Sequence, residues 1–154
     1  MLIVVCLDLE DGIDPILGLI VGTAVDDADV TLLHVIDTVE RAKLEDSVRP
    51  GVVRASLRDV EETLNADERA MLRESYDQAA SILRTRRAGE VRLSVGEGRP
   101  ERVIVSYLSD SHAGLCVVGR RPDWKRNRDE GPHSVGHVAR FVVDHAPCPV
   151  LLLR

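Results

Sequence analysis

Two segments near the end of the chain decide its fold: Leu115-Cys-Val-Val-Gly119 and Ala146-Pro-Cys-Pro-Val-Leu-Leu-Leu-Arg154. Each contains a short, continuously apolar run, which is typical of a strand buried on both faces of a parallel sheet. Between them lie a charged loop at residues 120–131 and a segment of helical pattern at residues 134–145. The order strand, loop, helix and strand predicts a βαβ unit, in which the loop after the first strand is the usual place for a ligand.

Three more segments of strand pattern precede this unit. Residues 2–7 are continuously apolar, and residues 30–36 are predicted to be a second buried strand, apolar apart from Thr31 and His34. The two segments are followed by Asp8 and Asp37 respectively. Residues 91–95 alternate instead between apolar and polar side chains. Continuous runs indicate strands covered on both faces, whereas alternation indicates a strand nearer to the edge of the sheet.

Helices are predicted between consecutive strands, where apolar residues recur at steps of three and four. Their predicted bounds are residues 16–25, residues 56–86 with a break near residues 65–67, and residues 100–111, with a loop at residues 38–53 and a turn at residues 96–100. Because helices alternate with strands throughout, right-handed crossovers predict an α/β fold. This fold is a doubly wound, five-stranded parallel sheet with helices on both faces.

Length and composition narrow the class of protein. A chain of 154 residues predicts a single domain, residues 1–154. Only 3% of the residues are aromatic and the net charge is −6, so base stacking and attraction to phosphate are both weak and a nucleic-acid binder is not expected. The apolar run at residues 2–7 has no basic region before it and is too short for a signal peptide or a membrane span, so we expect a cytoplasmic protein.

Sequence motifs of catalysis and metal binding are missing. The three cysteines, Cys6, Cys116 and Cys148, lack CxxC spacing and are predicted to be small apolar side chains of the core. The sequence contains no Walker A loop, no dinucleotide G-x-G-x-x-G motif and no G-x-S-x-G nucleophile motif. The sequence therefore predicts that the protein is not an enzyme and binds no metal.

The C-terminal part of the chain has a distinctive pattern. It consists of Val-Val-Gly119, followed by a loop and by Gly136-His-Val-Ala-Arg-Phe-Val-Val-Asp-His-Ala-Pro-Cys-Pro-Val150. This pattern resembles the C-terminal signature of the universal stress protein family. Thr31-Leu-Leu-His-Val-Ile-Asp37, Asp8 and Glu97-Gly-Arg-Pro100 also match family positions, so the resemblance covers essentially the whole chain. It implies a sheet of order 3-2-1-4-5, of the adenine nucleotide α-hydrolase-like type, and a stress-response or regulatory role.

The resemblance also implies a ligand site at the carboxyl ends of strands one and four, the topological switch point of such a sheet. In nucleotide-binding members the pattern G-x2-G-x9-G-[ST] holds phosphates, and a carboxylate after strand one meets the adenosine end. ATP or AMP is therefore the implied cofactor. Carried over position by position, the implied binding residues are Leu7, Asp8, Val35, Val118, Gly119, Gly136, His137 and Val138.

The phosphate pattern is only partly kept in this chain. Pro122 stands in place of the second glycine, and a proline has no amide hydrogen to donate. His137 stands in place of the hydroxyl residue. The spacing from Gly119 to Gly136 is four residues longer than in the family pattern.

The loop after Gly119 is basic although the protein is acidic. Arg120 and Arg121 follow the glycine directly, and guanidinium groups bind phosphate in a bidentate manner, so both are predicted to replace the missing backbone donors. Three further bases follow within this loop, Lys125, Arg126 and Arg128. The alternatives are a solvated surface loop, or a protein partner that binds residues 120–128.

The sequence leaves two functions open. The chain is either a nucleotide-sensing regulatory protein, or a dimeric protein-interaction module of the same fold that binds no nucleotide. Slow nucleotide hydrolysis is a weaker third hypothesis.

The apolar run Val150–Leu153 is predicted to lie at a sheet edge. An open apolar edge favours pairing with a second copy, and the family implies a homodimer through this strand.

Overall fold

Strands from both halves of the chain form one sheet with helices packed on its two faces. The computed structural model describes residues 1–8, 26–37, 53–54, 64–86, 88–119 and 135–153. Its strands are β1 (Leu2–Leu7), β2 (Asp29–Asp37), β3 (Val53–Arg54), β4 (Val91–Gly98), β5 (Leu115–Gly119) and β6 (Val150–Leu153). Its helices are α1 (Ala66–Thr85), α2 (Pro100–Asp110) and α3 (His137–His145).

The strand order is β3-β4-β2-β1-β5-β6. The five strands from β4 to β6 are parallel to one another, which confirms the predicted order 3-2-1-4-5 and the predicted fold class. β3 is an addition: it pairs antiparallel with β4, with Val53 opposite Gly96 and Arg54 opposite Val95. Val53 ends the segment that we predicted to be a loop. Two residues are too few to show a periodic pattern, so this strand left no signal in the sequence.

β4 is longer than its sequence suggested. We predicted that residues 96–100 form a turn, but Gly96, Glu97 and Gly98 continue the strand and pair with Val35, Ile36 and Asp37 of β2. The turn prediction was wrong because pairing with a central strand overrides the local preference of glycine. Gly96 also has a packing reason, since a Cβ there would lie 2.5 Å from Cγ1 of Val103 in α2.

The two faces of the sheet carry separate cores, because side chains alternate along each strand. The first face packs against α1, and its buried strand residues are Ile3, Val5, Leu7, Val30, Leu32 and Val117. The second face packs against α2 and α3, and its buried residues are Val4, Leu33, Ile104, Leu108, Ala113, Cys116 and Val142. Neighbouring residues of β1 therefore belong to opposite cores.

The helix ends follow signals in the sequence. Asn65 caps α1 through a capping box: its side chain accepts from the Glu68 amide at 2.8 Å, and the Glu68 carboxylate accepts from the Asn65 amide at 3.0 Å. The predicted break near residues 65–67 is thus the start of a helix. α2 begins at Pro100 as predicted and ends one residue early, at Asp110.

Some predicted elements lie outside the described residues. These are the helix at residues 16–25, most of the loop at residues 38–53, the first part of the helix at residues 56–86, and the charged loop at residues 120–131. Within the described part of the chain, no helix is long and apolar enough to cross a membrane.

Gly96→Ala is expected to destabilise the protein by about 1–3 kcal/mol, because the new methyl group would overlap Val103, whose χ1 angle is stiff in a helix. Gly114→Ala is the matched control. Its Cβ would meet Cγ of Met1 at 2.6 Å, but that side chain is 67% exposed and free to move. Urea titration measures the free energy of unfolding of both variants.

Adding Val103→Ala to Gly96→Ala should recover part of the lost stability, because the overlapping methyl group is then removed. A Gly96→Ala variant that is as stable as Gly114→Ala would contradict the close approach of α2 to β4.

Candidate functional site

A crevice is expected where β1 and β5 end side by side. The two strands are parallel neighbours, with Val5 opposite Val117. From β1 the chain passes to β2 on one side, and from β5 it passes to β6 on the other side. The crossovers therefore diverge at this pair of strands, and ligands of doubly wound folds bind at the carboxyl ends of such a pair. Asp8, which is exposed, follows β1 directly, and Gly119 ends β5.

The carboxyl end of β1 is also tied to β2. Nδ1 of His34 lies 3.2 Å from the carbonyl oxygen of Leu7, which accepts a hydrogen bond when Nδ1 carries the proton. Leu7 itself is buried in the core of the first face. His34 thus has a structural role, because it links the end of β1 to β2. Because the Leu7 side chain is part of the core, Leu7 offers a ligand only its backbone.

Val35 and Val118 differ in what they present to the crevice. Val118 is 4% exposed, so its side chain is also committed to packing. Val35 is partly buried at the rim of the second-face core, where Val138 from the first turn of α3 packs as well. Val35 of β2 and Val138 of α3 therefore form an apolar surface beside the crevice.

α3 begins at the same edge of the sheet, since it runs back from the end of β5 to the start of β6. Gly136 is its N-cap, with φ at 86°, a region that favours glycine, and no side-chain cap is found among the described residues. His137 is the first residue of the helix and its side chain is 73% exposed. Helix N-termini attract anions because their first amides point outward and the helix dipole is positive there.

Sequence reasoning missed one residue of this edge. Glu101, in the first turn of α2, brings Oε1 to 3.7 Å from Nε2 of His137 and is itself only 12% exposed. A glutamate after Pro100 is an ordinary helix-start signal, so nothing in the sequence marked it as a neighbour of His137. Two predicted site residues, Arg120 and Arg121, lie outside the described residues.

The whole chain, residues 1–154, matches the universal stress protein family. The chain belongs to this family. Among solved structures, the universal stress protein UspA from Lactobacillus plantarum is similar at 24% identity and a TM-score of 0.67, over 100% of this chain and 97% of that chain. The comparison with curated proteins found no significant match.

Two further structures of similar fold are described with nucleotides. The universal stress protein from Archaeoglobus fulgidus in complex with dAMP is 21% identical, with a TM-score of 0.58, over 100% of this chain and 98% of that chain. A universal stress protein family protein from Arabidopsis thaliana with AMP bound is 19% identical, with a TM-score of 0.56, over 99% of this chain and 90% of that chain. At these identities the likeness shows the fold alone.

The cysteines of this universal stress protein gather on the second face of its sheet. Cys116 is buried, and Cys6 and Cys148 are partly buried against the same core. A hydrogen bond with the Cys116 thiol, reinforced by burial, raises the pKa of Cys6 well above its usual value, and burial raises the pKa of Cys148. The three thiols are free of disulfides, and among the described residues no group of three His, Cys, Asp or Glu side chains is placed to hold a metal ion.

We expect Cys6 and Cys148 to react slowly with a thiol reagent in the native protein, because the thiolate is the reactive form and a raised pKa reduces its population. Labelling should accelerate as the pH rises and should become fast in urea. Stopped-flow labelling of Cys148→Ser reports on Cys6, and labelling of Cys6→Ser reports on Cys148, each beside Cys116, which is fully buried. Native rates equal to those in urea would contradict the buried, protonated state.

Proposed function

We propose that this universal stress protein binds an adenine nucleotide, ATP or AMP, at the carboxyl ends of β1 and β5, and that it acts as a stress-response or regulatory protein. One observation carries the proposal: Asp8, Gly119 and the first turn of α3 stand at the same switch point of the sheet. Structures of similar fold that are described with AMP and with dAMP support the choice of ligand class.

Each residue at this edge has a role that its chemistry suits. The Asp8 carboxylate accepts hydrogen bonds from the hydroxyl groups of the adenosine end, and Val35 packs against the base. The amides at the start of α3, with His137, meet the phosphates. Arg120 and Arg121, at the start of the basic loop, supply the charge that a phosphate chain requires.

The proposed role is binding rather than catalysis. The raised pKa values of Cys6 and Cys148 suit packing and not nucleophilic attack. Free cysteines also suit a reducing compartment, so we place the protein in the cytoplasm. Release of inorganic phosphate from ATP would contradict the binding-only role, and an enzyme-coupled phosphate assay measures it.

Asp8→Ala is expected to weaken nucleotide binding about tenfold or more, because a hydrogen bond to a charged group contributes about 1.5–3 kcal/mol. Calorimetric titration with ATP and with AMP, each with and without magnesium, measures the affinity. Asp77→Ala, on an exposed position of α1, is the matched control and should bind as the wild type does. Equal affinities of the two variants would remove Asp8 from the site.

A second candidate function is a protein-interaction module that binds no nucleotide. Pro122 and His137 favour it, because each replaces a residue that contacts phosphate in the family pattern. In that case a partner protein binds the basic residues 120–128. Absence of heat at millimolar nucleotide, in the titration described above, would favour this function over the first.

We also propose that the protein is a homodimer through β6. β6 pairs with β5 on one side and is the last strand in the sheet order, so its other side is an edge in the described structure. All four of its residues, Val150–Leu153, are apolar and only partly buried. Exposed apolar edge strands favour pairing with another chain. An isologous pair of β6 strands around a two-fold axis would cover both edges.

Leu152→Glu is expected to convert the dimer to a monomer, because a carboxylate would be buried without a partner at the centre of the new interface. Light scattering measures the mass, and circular dichroism verifies that the fold is kept. Met71→Glu is the matched control: it adds the same charge to a 47% exposed side chain on α1 and should leave the dimer intact. A folded Leu152→Glu dimer would overturn the proposal.

A further inference from the structure

His137 and Glu101 meet where two helices begin. His137 is the first residue of α3 and Glu101 lies in the first turn of α2, with Nε2 of the imidazole 3.7 Å from Oε1 of the carboxylate. Both helices pack on the second face, and both start at the carboxyl edge of the sheet. The two side chains form an ion pair only when the imidazole is protonated.

The two partners differ in their access to water. Glu101 is only 12% exposed, whereas His137 is 73% exposed. The carboxylate lies in the first turn of α2, where the helix dipole favours a negative charge. The imidazole stays open to a ligand that approaches the start of α3. Any anion that binds there must come close to the negative charge of Glu101.

Other charged groups also belong to the elements around His137. Near the start of the helices these are Arg99, the N-cap of α2, and Arg102, together with Arg140 of α3, one turn beyond His137, and all three are exposed. At the far ends, α2 carries Asp110 and α3 carries Asp144 and His145. β1 adds Asp8 at its carboxyl end, and this residue has contacts of its own. Glu101 is thus the charged side chain for which the described structure gives a contact with His137.

We infer that His137 and Glu101 together make phosphate binding depend on a proton, an inference that rests on the proposed function. With a neutral imidazole, Glu101 repels a phosphate at the start of α3. With a protonated imidazole, the positive charge offsets Glu101 and attracts the phosphate as well. Histidine is the side chain whose ordinary titration falls between pH 5 and 8. Nucleotide therefore binds more tightly as the pH falls through this range, and Glu101 acts as a positioning residue.

The experiment compares ATP and adenosine at about pH 6 and about pH 8 by calorimetry. His137→Ser, which carries the hydroxyl of the family pattern, is the matched variant, because its pH dependence contains the protonation of ATP and of every other group except His137. Between about pH 8 and about pH 6, the affinity for ATP should rise by a larger factor in the wild type than in His137→Ser. The factor for the wild type should exceed that for the variant about fivefold or more, since fivefold is the lower end of the usual coupling between two sites. Adenosine has no phosphate, so its affinity should not change.

A second variant tests the carboxylate. Glu101→Gln removes the repulsion, so it should tighten ATP binding at about pH 8 and reduce the difference between the two pH values. The same pH dependence in wild type and His137→Ser would overturn the inference and leave nucleotide binding intact. A pH dependence shared by adenosine would also overturn it, since no phosphate is then involved. Absence of ATP and AMP binding to every variant at both pH values would instead overturn the proposed function, and the inference with it.

Discussion

The structure depends on β1, which is hydrogen-bonded on both sides. All six of its residues, Leu2–Leu7, are in register with β2, and Ile3, Val4 and Val5 are also in register with β5. Those three side chains are 0% exposed, and burial of each contributes about 1.5–3 kcal/mol. Because alternate residues serve the two opposite cores, a shift of β1 by one residue would exchange both sets of contacts. The register of β1 therefore determines the position of Asp8 relative to Gly119 at the carboxyl edge of the sheet.

Much of this arrangement is predictable because it rests on periodic signals. Continuous apolar runs such as residues 2–7 identify strands that are covered on both faces, and strict alternation of strands and helices leaves few topologies. The positions of Asp8 and Gly119 at strand ends follow from the same pattern. Family resemblance then adds the strand order, which local periodicity alone does not contain.

Other features are not encoded locally. Gly96 and Gly98 have the composition of a turn, but pairing with β2 makes them part of a strand, and Val103 packs closely against Gly96. Glu101 and His137 are 36 residues apart in sequence, and their contact results from the packing of α2 against α3. A two-residue strand such as β3 has no period at all. In each of these cases tertiary packing, rather than local propensity, decides the structure.

The central position of β1 has a consequence for how the molecule folds. Ile3 and Leu115 are paired although they lie 112 positions apart in the sequence. Closing such a long segment costs chain entropy before the strands are in contact, so the pairing of β1 with β5 raises the contact order of the fold. The pairings of β2 with β1 and with β4 close shorter segments, such as Leu2 to Asp29 and Val30 to Val91, and so cost less chain entropy. The crevice is therefore completed late in folding, and a partly folded chain has no site to offer a ligand.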